Sequence, residues 1–257
     1  MKSNYQFFVD YFLNNFTDIS NKKVLDFGCG NGNVIISMRE KGFEFYGVDS
    51  YYDGDEETYN KHKSNLPFIR KYLPPQEKIP FPDEYFDFIY SNQVFEHIKD
   101  INFILDELNR ILKKDGVMVH NFPVKEYLVE GHFRLPFVHW FQKFHRLRKP
   151  ITLFFLYLGF GINRNKRDRK LFANNIWKYI DEKCFYRTES EITAIFENLF
   201  LVRRLDKEKL IYHLRNKKIL NKFIGFFIKI APDKLIQKIE KRRGSITIRI
   251  TKNNILL

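Results

Sequence analysis

Asp26, Gly28, Gly30 and Gly32 stand in the stretch KVLDFGCGNGN, residues 23–33, as D-x-G-x-G-x-G, and Asp49 closes a second apolar stretch, FEFYGVD, residues 43–49. Glycines at this spacing let a turn adopt φ > 0 and let a ligand approach the backbone where a Cβ would collide with it. An acidic residue at the end of the second stretch suits ribose hydroxyls, which a carboxylate accepts in charge-assisted bonds. The loop is not a phosphate loop, because Asn33-Val34 stands where a Lys-Ser/Thr pair is required. Nor is it the dinucleotide fingerprint, whose third glycine would fall at Asn33. A second reactive set lies in EGHFRLPFVHWFQKFH, residues 130–145, which carries His132, His139 and His145. Imidazole is the group best suited to take a proton near neutral pH. His132 is the first candidate for such a base and His139 the second. Packing among aromatic neighbours is the other reading of these rings. Their spacing offers no metal set, since no acidic or cysteine partners lie at ligand spacing beside them. His97 and His120 are read as structural, the first in a helical turn and the second in a strand.

These residues need elements to hold them. KVLDF reads as a buried strand, residues 31–41 as a helix, 43–49 as a second strand and 55–65 as a polar helical segment. A short apolar PFIRKYL follows, then a strand at 85–91. Residues 101–112 carry apolar side chains on one helical stripe. The strand GVMVHNF, 116–122, opens after an Asp115-Gly116 turn. Alternating strands and helices imply a doubly wound parallel sheet with ligands beyond the carboxyl ends of its strands. Residues 123–185 break this rhythm with an aromatic and basic insertion. Thr188 and Glu191 form a capping box that starts a helix over 188–199, and late strands follow at 200–205 and 245–252. A basic amphipathic helical segment, broken near Pro232, fills 206–244. The chain reads as one domain over 1–257 with an insertion.

Of 257 residues, 44% are hydrophobic, enough for a packed core, and the net charge is +13. That charge is uneven. Residues 1–120 hold 14 Lys and Arg against 19 Asp and Glu, and residues 121–257 hold 30 against 12. The second half, at +18, is built to face something anionic. Cys29 and Cys184 make no disulfide framework, and Asp10 interrupts any apolar N-terminal stretch, so the cytoplasm is the expected compartment. The longest apolar run, residues 151–162, is too short to cross a bilayer, which takes about 20 residues.

The glycine loop with Asp49 resembles the class I S-adenosylmethionine-dependent methyltransferases, in their small-molecule branch. The resemblance continues in order through KIPFPDEYFDFIYSNQVFEHI (78–98), ELNRILKKDGVMVHNFP (107–123) and YRTESEITAIFENLFLVRRL (186–205). It implies a Rossmann-like, mostly parallel seven-stranded sheet with the insertion after the fifth strand. It implies S-adenosyl-L-methionine as cofactor, with Asp26 beneath its amino-acid end and Gly28 and Gly30 lining it. Free N–H groups of the loop would meet the carboxylate. By the same resemblance Asp49 takes the ribose, Ser50 or Tyr51 lies near the adenine, and Asn92 and Gln93 stand close to the sulfonium. Relatives often carry an acidic residue for the adenine amino group before an LPF stretch. Here that region reads Pro74-Pro75-Gln76-Glu77, and Gln76 is the substitute.

The function implied is methyl transfer to oxygen of a small-molecule, glycan or lipid-linked acceptor. The basic apolar segments 151–162 and 217–230 also have the composition of interfacial membrane elements, which suggests peripheral contact with an anionic inner membrane face. RNA is the rival acceptor, favoured by charge but lacking a recognisable RNA-binding module. A non-catalytic binding module on the same fold is the second rival.

Overall fold

The computed structural model describes residues 3–51, 67–162, 168–215 and 219–253, with the side chains of 3, 215 and 219–224 left aside. The polar segment expected to be helical at 55–65 lies outside these residues, as do Lys217 and Lys218.

The central sheet has seven strands: β1 (Lys23–Phe27), β2 (Glu44–Asp49), β3 (Ile69–Lys71), β4 (Phe86–Asn92), β5 (Leu112–Phe122), β8 (Phe200–Arg204) and β9 (Ile246–Lys252). Their order is β3-β2-β1-β4-β5-β9-β8. β1 to β5 run parallel, and β9 is antiparallel to both its neighbours. The sheet order reverses beside β1, where the chain passes to β4 on the other side, and this is where a doubly wound sheet opens its crevice. Pairing of Asp26 with Gly47 and Tyr90, and of Asn92 with Asn121, lines up the carboxyl ends of β1, β2, β4 and β5.

Apolar alternation within the strands feeds two cores. Leu25, Phe27, Ile89 and Met118 face α3 (Ile101–Ile111) and α6 (Glu189–Glu197). Val24, Phe88, Tyr90 and Val119 face α1 (Ser3–Asn15) and α2 (Asn33–Arg39). Asp100 caps α3 through the Phe103 amide, and Thr188 and Glu191 close the expected capping box on α6.

β5 differs from expectation. It starts at Leu112, and the Asp115-Gly116 turn is absorbed into the strand as an irregularity: Phe86 pairs with Leu112 but Phe88 with Val117. The surplus residues on β5 bulge outward, which is how a strand carries turn residues without ending.

The insertion makes its own small core. It contains the two-residue strands β6 (Val129–Glu130) and β7 (Leu135–Pro136), then α4 (His145–Tyr157) and α5 (Arg169–Lys183). Leu135, Val138, Leu156, Ile176, Trp177 and Cys184 are buried together there. Beyond β8 come α7 (Asp206–Arg215), α8 (Ile219–Ile230) and α9 (Asp233–Arg243), with Pro232 at the expected break. No helix of the described residues is long and apolar enough to cross a membrane.

Candidate active site

The turn after β1 is held by its own neighbours. Gly28, Gly30 and Gly32 all have positive φ, at 78°, 50° and 63°. The amides of Gly28 and Cys29 donate to the Val48 carbonyl at 2.8 and 3.2 Å, and that of Gly32 to Cys29 at 3.0 Å. The Gly30 amide donates to Asp49 Oδ2 at 2.7 Å. These four amides are therefore engaged within the turn, and the expectation that they stand free for a ligand carboxylate is not met. Their bonds to β2 set the loop's shape before any ligand arrives. A Cβ on Gly30 would meet nothing within 4 Å, so the space above the loop is open. A Cβ on Gly28 would lie 2.3 Å from Val94 Cγ2, so glycine there lets the β4 turn pack down on the β1 turn.

Asp26 is 1% exposed, and its Oδ1 has no hydrogen-bond partner. Burial pushes its carboxyl up to about 8, with the nearby Tyr90 hydroxyl opposing that shift and Asp49 adding to it. Asp49 is raised too, by burial, against the pull of amide bonds from Tyr51, Gly30 and Ser50. Its Oδ1 accepts the Tyr51 amide at 2.7 Å, and the Tyr51 hydroxyl donates to the Gly30 carbonyl at 3.1 Å. Ser50 sits between them on the strand end, half-buried. Gln76 is exposed on the loop leaving β3, a loop whose Tyr72 amide bonds the Asp49 carbonyl at 3.2 Å.

Asn92 ends β4, and its Oδ1 accepts from Asn4 Nδ2 at 3.1 Å and Asn121 Nδ2 at 2.9 Å. Gln93 is exposed in a left-handed turn (φ 59°), its amide on the Asn121 carbonyl. Asn121 Oδ1 in turn accepts from Lys209 Nζ at 2.6 Å, Ser245 Oγ at 2.6 Å and Thr247 Oγ1 at 3.0 Å. Burial lowers the Lys209 ammonium to about 8. Asn4, Asn121 and Lys209 were not singled out from the sequence. Only their joining in one chain of bonds to Asn92, Lys209 through Asn121, distinguishes them, and that chain spans distant parts of the sequence.

The insertion histidines separate by environment. His139 is 1% exposed; burial lowers it to about 4, and its Nε2 lies 3.2 Å from the Lys125 carbonyl. His145 is exposed at the start of α4. His132 is half-buried, with Nδ1 2.7 Å from Glu130 Oε1. The fully buried Glu130 also accepts from the Tyr186 hydroxyl at 2.7 Å and the Phe133 amide at 2.8 Å. Although burial opposes it, these bonds hold the Glu130 carboxyl below the usual range. A carboxylate on Nδ1 fixes an imidazole's tautomer and leaves Nε2 as the proton acceptor. His97, in the turn after β4, faces His132, and burial lowers its basicity. His120 is buried in β5 with Nδ1 2.8 Å from Ser91 Oγ, and burial lowers it to about 3.

A cavity of about 750 Å³ opens at the opposite end of the strands, between Lys22, Asp87, Lys113 and Arg249. It lies at the amino ends of the strands, away from every residue above.

An open α/β sheet in this order, with a glycine turn after β1 and an acid at the end of β2, defines the class of Rossmann-like enzymes that bind S-adenosylmethionine. The family model described as "Methyltransferase domain" matches residues 1–199, and the chain belongs to that family. It is 31% identical over 101 residues to a ubiquinone biosynthesis O-methyltransferase from Pelagibacter ubique, covering 39% of this chain and 41% of that one. The chain spans about two-fifths of the length of the first such relatives it matches. Among solved structures, an S-adenosylmethionine-dependent methyltransferase from Archaeoglobus fulgidus superposes with a TM-score of 0.51 at 15% identity, covering 98% of this chain and 92% of that one. One from Mesorhizobium loti gives 0.51 at 14% identity, covering 94% and 95%. Both likenesses show the fold.

The residues present fit this cofactor. The open space over Gly30 admits it, the unpartnered buried oxygen of Asp26 suits its ammonium, and the Asp49 carboxylate keeps acceptor capacity beyond its backbone amides for a ribose hydroxyl.

Proposed function

We propose that this chain transfers a methyl group from S-adenosylmethionine to a hydroxyl of a small, lipid-linked acceptor at an anionic membrane surface. The cofactor supplies a methyl group already activated on sulfur, so the protein's task is proximity and orientation. Asp26 holds the amino-acid end from beneath, Gly28 and Gly30 line it, and Asp49 holds the ribose. Ser50 and Gln76 border the adenine, and Asn92 and Gln93 border the reacting end. The acceptor proton passes to His132 Nε2, and Glu130 stabilises the imidazolium that forms. His139, buried and weakly basic, keeps the pocket's shape.

One observation carries the acceptor class. Phe154, Tyr157, Leu158 and Phe160 on and after α4 are 45–64% exposed, with Arg146 and Lys149 exposed beside them. Had this apolar run covered the sheet, these side chains would be buried. An apolar surface fringed by cations is what an interfacial element presents to anionic lipid. Arg148 is not part of that fringe: it is buried against Trp177 and paired with Asp181 at 2.6 Å. On α8, Phe226, Phe227 and Ile230 are similarly exposed. The name of the Pelagibacter relative supports oxygen as the methylated atom, within the stretch it shares with this chain.

The test is transfer of radiolabelled methyl from S-adenosylmethionine into cell extract separated into lipid, glycan, RNA and protein. Label in the lipid fraction is expected. Label confined to RNA overturns the reading in favour of the basic half as an RNA surface, and no label in any fraction favours a binding module.

A further inference from the structure

Beside the acceptor side of the site, two imidazoles meet edge to edge. His97 Nδ1 lies 2.6 Å from the Lys183 carbonyl oxygen, which can only accept, so that nitrogen carries a hydrogen. His132 Nδ1 lies 2.7 Å from Glu130, which accepts two other bonds, so it too carries a hydrogen. Both rings are thereby fixed in the same tautomer, and each turns its Nε2 lone pair toward the other at 3.2 Å. Two facing lone pairs repel unless a cation or a proton stands between them.

Cys184, at the end of α5, is the third member. Ligand atoms of His97, His132 and Cys184 all lie within 4.8 Å of one another. Imidazole nitrogens about 2.0–2.1 Å from a tetrahedral zinc are about 3.3 Å apart, close to the separation seen here. The outer contacts also match, because metal-bound histidines donate their other nitrogen to a carboxylate or a backbone carbonyl. Glu130 and the Lys183 carbonyl are those acceptors.

A separate observation points the same way. Glu96, adjacent to His97, is 2% exposed, and neither of its carboxylate oxygens has a hydrogen-bond partner. It interacts electrostatically with Glu130 and Cys184. A buried carboxyl with no hydrogen-bond partner is costly, and a cation close by would offset that cost. A single shared proton would relieve the imidazole pair and leave the Glu96 oxygens without a partner.

We propose that His97 Nε2, His132 Nε2 and Cys184 Sγ bind a zinc-type divalent cation, leaving one tetrahedral position for water or an acceptor oxygen. On binding, the Cys184 thiol gives its proton to solvent and the sulfur bonds the metal as thiolate. The chemical use of the site rests on the proposed function. With the cation bound, an acceptor hydroxyl at the open position would be more acidic and would give its proton to solvent, His132 serving as a ligand in place of a base.

The experiment adds Co(II) alone to the purified full chain, without cofactor or acceptor. One equivalent should produce a thiolate-to-cobalt charge-transfer band and the intense visible bands of tetrahedral cobalt, and Zn(II) should bleach both. Cys184→Ser should lose the charge-transfer band, with thermal unfolding checking that it folds. His132→Ala, at a half-exposed ring, should weaken Zn(II) binding at least tenfold, and Glu130→Gln by roughly 10–100-fold. Absence of the charge-transfer band at saturating Co(II), or wild-type metal affinity in both Cys184→Ser and His132→Ala, overturns the site. Neither result touches the methyl-transfer reading, and failure of that reading leaves the cobalt bands in place.

Discussion

Asp49 ties the glycine turn to β2 and, on the proposed reading, accepts the ribose hydroxyls, so its loss should act twice. Asp49→Ala is expected to weaken S-adenosylmethionine binding by on the order of 2–4 kcal/mol, and Asp49→Asn, which keeps one acceptor oxygen, by less. Calorimetry that finds wild-type affinity in the alanine variant removes Asp49 from the site. Asp26 makes a pH-dependent contribution. Its carboxyl titrates at about 8 in the folded chain against an ordinary 3.8, so folding tightens proton binding. That contribution to stability is complete below about pH 4 and is lost as pH rises from there to about 8. The unfolding midpoint of the ligand-free chain should fall over that window, and Asp26→Asn should flatten the fall. An equally steep fall in the variant assigns the titration elsewhere. His132→Ala should leave cofactor affinity intact while lowering turnover roughly 10²–10⁴-fold. Normal turnover at saturating acceptor would show that the acceptor proton leaves by another route.

Among the elements, the junction of two turns is the sensitive point. Gly28 combines a φ of 78° with Val94 pressed against its Cα. Gly28→Ala should therefore cost about 1–2 kcal/mol for the left-handed backbone alone, with the Val94 collision added. Denaturant titration should show Val94→Ala recovering the collision part in the double variant and leaving the backbone part. If the double variant is no more stable than Gly28→Ala, the two turns are not in contact. β1, its glycine turn and β2 were legible because their signals are local: apolar runs, positive-φ residues and a terminal acid within a few positions of one another. α5 was not, since aromatic and basic residues crowd 169–183 and blur the apolar stripe. The grouping of His97, His132 and Cys184 had no signature at all. Ligand spacing in the sequence misses partners that only the docking of α5 against the β4 turn brings together.

For the molecule as a whole, the charge division in the sequence pointed to an anionic partner but not to where it would be met. On the proposed reading, the exposed apolar residues of α4 and α8 are where it would be met. Each basic side chain near an anionic surface contributes about 1 kcal/mol, screened within a Debye length. Flotation should therefore show binding to anionic vesicles, loss of most of it in high salt, and little binding to neutral vesicles. Binding to RNA with none to anionic vesicles would transfer the basic half to a nucleic-acid role. The carboxamide chain at the end of β4 has a consequence for how the protein is made. Asn92 is fixed by Asn4 and Asn121, and Asn121 by Lys209, Ser245 and Thr247. During synthesis β1 to β4 can pair with one another before β5 emerges, because those pairings draw on no later residue. The oxygen of Asn121 must wait for residue 247. A nascent chain thus carries a finished glycine turn long before a finished reacting edge, and the last strand to emerge is the one that completes it.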